Sequence, residues 1–213
     1  VKHTRSSAEW AIREAVVARF GQLWPDARIV HEMNCGGART DVVAVQPDRL
    51  WICEIKSERD TLDRLPEQIK NFYPVCHGLI IAAHEKWTVT YKGKLRRGGY
   101  PISSLLADAA GPYTSRFETW SYPEPPQIGR RDWSPPYSAR VPWHHQMLQL
   151  LWADELREIA ARHRISCTSR TPVTPLTRDL SAMMTGREIE IAVCQALRRR
   201  TFAEADQPIE AVA

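Results

Sequence analysis

Residues 39–57, RTDVVAVQPDRLWICEIKS, decide how this chain is read, because two apolar runs here carry one acidic centre. Asp41 opens the run VVAV, Gln46 to Arg49 make a turn, and LWIC delivers Glu54, Ile55 and Lys56. Side chains alternate along a strand, so Glu54 and Lys56 share a face with Leu50 and Ile52, while Trp51, Cys53 and Ile55 take the other. A carboxylate and an ammonium therefore end the second strand together.

Working outward, Ile12, Val16, Phe20 and Leu23 recur at helical spacing between Ser7 and Trp24, with Ser6 or Ser7 as N-cap and Gly21 and Pro25 near the end. Glu9 lies on the inward stripe at the start of this helix, and Glu14 reads as a solvated helix glutamate. Arg28 to Met33 form a first strand, and Gly36 and Gly37 belong to a turn that feeds the strand beginning near Thr40. A phosphate-binding role for these glycines is disfavoured, because a strand follows them and not a helix N-terminus.

Beyond Lys56, the spacing predicts a short helix from about Pro66 to Tyr73 that carries Gln68 and presents Ile69, Phe72 and Tyr73 on its apolar side. GLIIAA, residues 78–83, then reads as a strand covered on both faces. Helix, three strands, helix, strand is an α/β core with a mixed sheet, in which the second helix makes a parallel crossover.

The chain has 213 residues, 43% of them hydrophobic, enough for a real core. Its five cysteines form no CxxC pair, which together with the odd count predicts a reducing, cytoplasmic setting. No apolar run approaches the roughly 20 residues of a membrane helix, so no membrane partner is expected. A formal charge of +4 permits a nucleic-acid partner without demanding one.

Between Lys86 and Tyr100 the basic residues Lys92, Lys94, Arg96 and Arg97 alternate with aromatics and no acid, a pattern suited to phosphates and bases and also to a solvated hairpin turning at Gly93. Prolines concentrated in 121–142 mark a linker or arm, dividing a core of residues 1–120 from a helical unit of 143–213. In that unit Leu148, Trp152, Leu156, Ile159 and His163 form one stripe, and Thr174 with Pro175 and Thr185 with Glu188 start two further helices. This unit is a candidate DNA-binding or protein-interaction module, including a homodimer contact. Arg198, Arg199 and Arg200 suit a helix C-terminus as well as they suit DNA.

Two carboxylates meeting at neighbouring strand ends repel one another unless a cation lies between them, and hard oxygen ligands select Mg²⁺ or Mn²⁺. Asp41 and Glu54 are the expected ligands, the Ile55 carbonyl a further oxygen, and an inward Glu9 a carboxylate for a second ion or an ordered water. Lys56 then orients or deprotonates an attacking water, in phosphodiester hydrolysis without a covalent intermediate. No zinc spacing and no GxSxG nucleophile pattern offers a competing chemistry.

The helix followed by RTDVVAV, LWICEIK and a helix bearing Gln68 resembles the PD-(D/E)XK nuclease superfamily over about Ser7 to Ala83, and is similar to its Holliday-junction-resolvase-like and VRR-NUC or MmcB-like branches. The resemblance implies a restriction-endonuclease-like core with Glu9, Asp41, Glu54 and Lys56 in the active centre. Gln68 and Tyr73 echo the Q-x-x-x-Y helix of some branches at a spacing one residue longer, and Thr40-Asp41 replaces the usual Pro-Asp. The expected function is a Mg²⁺-dependent DNA endonuclease of DNA repair, recombination or phage DNA processing. The alternatives are a noncatalytic DNA-binding or scaffolding module of the same fold and a restriction-type enzyme.

Overall fold

The computed structural model describes residues 7–89, 91–92, 102–123, 133–135 and 139–201. Its first helix, α1 (Ser7–Leu23), buries Ile12, Val16 and Phe20, and the same face also buries Arg13. Strand β1 (Arg28–His31) follows, then a small hairpin of β2 (Asn34–Cys35) and β3 (Ala38–Arg39). Gly36 and Gly37, at φ 60° and 91°, turn that hairpin through a backbone region that side chains other than glycine rarely occupy. Next come β4 (Val42–Val45), β5 (Leu50–Lys56), α2 (Leu65–Phe72) and β6 (Gly78–His84).

Among the described residues the main sheet has five strands and is mixed. β1 and β4 run antiparallel, as do β4 and β5, whereas β5 and β6 run parallel across the α2 connection. Every residue of β5 is buried, as suits a strand at the centre of a sheet covered on both faces. The alternation expected for it holds: Leu50 and Ile52 pack with Leu65, Ile69 and Phe72 of α2 on one face, while Trp51, Cys53 and Ile55 pack with Ile12, Val16 and Phe20 of α1 on the other. The indoles of Trp24 and Trp51 stack at 4.6 Å on this second face.

After β6 a single helical turn, α3 (Glu85–Thr88), precedes β7 (Tyr91–Lys92), which pairs antiparallel with β8 (Ile102–Ser103). Lys92 pairs with Ile102, and the turn expected at Gly93 falls outside the described residues. Lys94, Arg96 and Arg97 fall outside the described residues. Helix α4 (Leu105–Ala110) and strand β9 (Glu118–Tyr122) follow, and β9 joins β6 in parallel at the edge of the sheet. Only Trp120 of that strand is buried, so the segment ETWSY lacks the apolar run that exposes a strand in a sequence.

Among the described residues four helices follow residue 142: α5 (His144–Leu148), α6 (Ala153–Arg162), α7 (Val173–Met183) and α8 (Gly186–Arg199). The single stripe expected through Leu148, Trp152 and Leu156 is broken between α5 and α6, where Trp152 becomes the exposed residue that precedes α6. Thr185 and Glu188 form the expected capping box at the start of α8.

These helices complete the core of the sheet, for Leu156, Ile159, Leu180, Val193 and Leu197 belong to one apolar cluster with Val43, Ile52 and Ile69. Arginines fasten the join. Arg28 of β1 donates through Nη1 to the carbonyls of Leu197, Arg198 and Arg200 at 3.2, 2.7 and 2.5 Å, satisfying oxygens left open at the helix end. Arg198 answers with bonds to the Asp26 and Val45 carbonyls at 2.7 and 2.8 Å. Two described residues of the arm before α5 are also packed, Trp133 stacked on Trp120 at 5.0 Å and the Arg140 guanidinium 3.5 Å above the Tyr73 ring. No helix among the described residues is long and apolar enough to cross a membrane.

Candidate active site

The register of the sheet brings its acids to one end. Val42 pairs with Cys53, which sets Asp41 one step beyond the last pair and opposite Glu54. His31 pairs with Val42, so Glu32 arrives beside Asp41 and donates its backbone N–H to the Asp41 carbonyl at 3.3 Å. Asp41 is then held across the strand end, because its Oδ2 accepts the Ile55 N–H at 2.7 Å. In an extended strand the N–H and C=O of one residue leave the same edge, so the Ile55 carbonyl opens toward Asp41 as well.

Glu54 and Lys56 are both buried and form an ion pair, Nζ to Oε1 at 2.8 Å. Gln68 of α2 completes it: its Oε1 accepts from Lys56 Nζ at 2.8 Å, and its Nε2 donates to the same Glu54 Oε1. Two of the three ammonium N–H groups are thereby assigned. Glu54 Oε2 is buried with no hydrogen-bond partner among the described residues. Burial and then the neighbouring Asp41 charge push the Glu54 carboxyl up to about 8, against the lowering effect of Lys56 and Gln68.

Glu9 comes down from α1 and does reach the site, though its partner there is a residue the spacing did not single out. Arg13, one turn along α1 and 1% exposed, directs Nη2 at Glu9 Oε1 (2.9 Å), Glu32 Oε1 (3.1 Å) and Asp41 Oδ1 (3.1 Å). Its Nη1 donates to the Asp41 carbonyl at 2.6 Å. Arg39 adds a second guanidinium contact to Glu32 at 2.8 Å. Glu14, in contrast, is exposed on α1, as expected.

Sequence reasoning missed Arg13 and Glu32. Arg13 carries a signal, since it stands four residues after Glu9 and three before Val16, on the flank of the buried stripe. Glu32 carries none, for it lies just past the end of β1 in the left-handed region at φ 55°, which costs a non-glycine residue on the order of 1 kcal/mol. That conformation, kept despite its cost, turns the chain where Glu32 meets Arg13.

Glu9, Glu32, Asp41, Glu54, Ile55, Lys56 and Gln68 line one cleft of about 600 Å³, with Arg39 and Arg64 also on its wall. Among the described residues no group of three or more His, Cys, Asp or Glu side chains is arranged to hold a metal ion. The donor set at the strand end is smaller: the buried Glu54 Oε2 atom, which has no donor among the described residues, the Asp41 carboxylate and the Ile55 carbonyl. These are all hard oxygens, and they fit Mg²⁺ or Mn²⁺. Gln68, expected in the centre, is there; Tyr73, its looser companion, lies instead under the guanidinium groups of Arg116 and Arg140. Of the basic residues expected to hold nucleic acid, only Lys92 lies within the described residues, with its backbone in β7.

The chain is similar to Bacteriophage P4 protein cII over residues 3–95, a span that includes every one of the cleft residues named above. No curated protein and no solved structure gives a significant match.

Proposed function

We propose that the cleft hydrolyses phosphodiester bonds of DNA with the help of a divalent cation, on a core of restriction-endonuclease type. One observation carries this proposal. Glu54 Oε2 is a buried carboxylate oxygen without a donor among the described residues, beside a second carboxylate that raises its pKa, while the sister oxygen is held by Lys56 and Gln68. A buried acceptor left open costs about 1–3 kcal/mol, and a cation at that atom offsets the cost and relieves the repulsion from Asp41.

When bound, Mg²⁺ or Mn²⁺ supplies charge stabilisation to the phosphoryl oxygens and the leaving group. Asp41, Glu54 and the Ile55 carbonyl are the groups that would hold it. Lys56 is fixed by two acceptors, which leaves its third N–H to orient a water or a phosphate oxygen at the cleft. Gln68 keeps the lysine and the glutamate in register, since it bonds to both. Arg39 and Arg64 on the wall suit a phosphate backbone.

The order of elements supports the same conclusion: a helix bearing Glu9, antiparallel strands bearing Asp41 and Glu54, and a crossover helix bearing Gln68 into a parallel strand. The noncatalytic alternative has one observation in its favour, that Glu9, Glu32 and Asp41 already meet a guanidinium. Incubation of the protein with Mg²⁺ or Mn²⁺ and single-stranded, duplex, flapped, four-way and abasic DNA separates the two. Cleavage that disappears in Asp41→Ala and Lys56→Ala is expected; binding without cleavage of any substrate establishes the alternative.

A further inference from the structure

We infer that Arg13 occupies the position of a second cation, so that the cleft takes a single divalent ion and its positive partner is built into α1. This rests on the metal-site proposal and specifies it.

Three carboxylates from three separate elements, Glu9 on α1, Glu32 after β1 and Asp41 before β4, come within 3.1 Å of one atom, Arg13 Nη2. Carboxylates gathered at that range repel one another unless a positive charge or a shared proton lies between them. Arginine supplies the positive charge at every accessible pH, because its guanidinium does not deprotonate in proteins. The group is also locked, with Nη1 bonded to the Asp41 carbonyl at 2.6 Å, His31 Nδ1 3.4 Å away, and the residue 1% exposed. An ion held by all three of these acids together would have to expel a buried guanidinium.

The other half of the acidic centre is different. Lys56 and Gln68 satisfy Glu54 Oε1, whereas Oε2 has no donor among the described residues. Asp41 bridges the halves, with Oδ1 toward Arg13 and Oδ2 on the Ile55 N–H. One cation site is thus closed by the protein's own side chain and one is open. Arg13 is accordingly a positioning residue: it sets the Asp41 carboxylate and limits the ion count. Glu9, expected from the sequence to serve an ion or its water, serves Arg13.

Titration of the full chain with Mn²⁺, followed by calorimetry and by electron paramagnetic resonance, tests this without relying on activity. One Mn²⁺ per chain with the spectrum of an isolated ion is expected. Arg13→Gln should admit a second ion and give a spin-coupled pair, while Arg13→Lys should stay at one. Glu54→Gln should weaken Mn²⁺ binding by about 10-fold or more, the scale of losses at metal ligands and their supports, and Glu9→Gln by less than about 3-fold. Two coupled ions in the wild-type chain overturn the inference and leave the metal site standing, as does loss of all binding in Glu9→Gln. No binding at all by the wild-type chain removes both. The wild-type stoichiometry decides the matter even if Arg13→Gln does not fold, which circular dichroism reveals.

Discussion

Replacing Glu54 with Gln removes one buried charge and keeps the shape, so its effect on stability is set by pH. Glu54 is 3% exposed, and burial together with Asp41 moves its pKa from 4.5 to about 8. The folded-state value lies above the unfolded one. The group's contribution is therefore intact below about pH 4.5 and is lost as pH rises through about 8. At ~1.4 kcal/mol for each pH unit, that span bounds the loss at ~5 kcal/mol. Urea denaturation at pH 5, 6, 7 and 8, followed by the fluorescence of the eight tryptophans, measures it. Glu54→Gln should gain on the wild-type chain steadily across this range, by a few kcal/mol at pH 8 and by little at pH 5. Mg²⁺ at about 100 times its dissociation constant should restore ~3 kcal/mol to the wild-type chain at pH 8 and much less to the variant. Parallel pH profiles for the two proteins would refute the reasoning, because they would mean that Glu54 ionises in the folded state as easily as in the unfolded one.

Lys56→Met takes from Glu54 one of its two donors among the described residues and raises its pKa further, so the variant should go on losing stability relative to wild type as pH rises above about 8 in the same denaturation assay, and should lose all cleavage. Asp41→Asn keeps an oxygen for the Ile55 N–H but turns an amide NH2 toward Arg13 Nη2, so its melting temperature should fall by several degrees while single-turnover cleavage falls at least about 100-fold. Neutralising Lys92, Lys94, Arg96 and Arg97 together should weaken DNA binding and lower the salt slope of the binding constant by up to about 4, read by fluorescence anisotropy at several salt concentrations; an unchanged slope returns that segment to a solvated loop. A chain ending at residue 142 should fail to give a cooperative unfolding transition, because α5–α8 supply one side of the main apolar cluster; a sharp transition would show two independent cores.

Much of the fold was legible because the signals were local. The stripe of α1, the alternation of β5 and the unbroken run of β6 each follow from neighbours in sequence, and each holds. Strand β9 was not legible, since it is an edge strand with one buried residue, held by pairing with β6 and not by its own composition. The prolines of 121–142 signalled an extended arm but could not report that the helices beyond it pack on the sheet, for that contact runs through Arg28, Arg198 and the shared apolar cluster.

In the cleft, the sequence by itself determined that Asp41, Glu54 and Lys56 would stand at strand ends, with Glu54 and Lys56 on one face, because strand periodicity fixes such relations along the chain. Only the tertiary structure decided what meets what across it. The β4–β5 register sets Asp41 opposite Glu54, with its carboxylate on the Ile55 N–H, and the turn at Glu32 delivers an acid with no sequence pattern. The packing of α1 places Arg13 among three carboxylates. Charge balance in a buried site depends on distances between elements, and spacing within an element does not encode them.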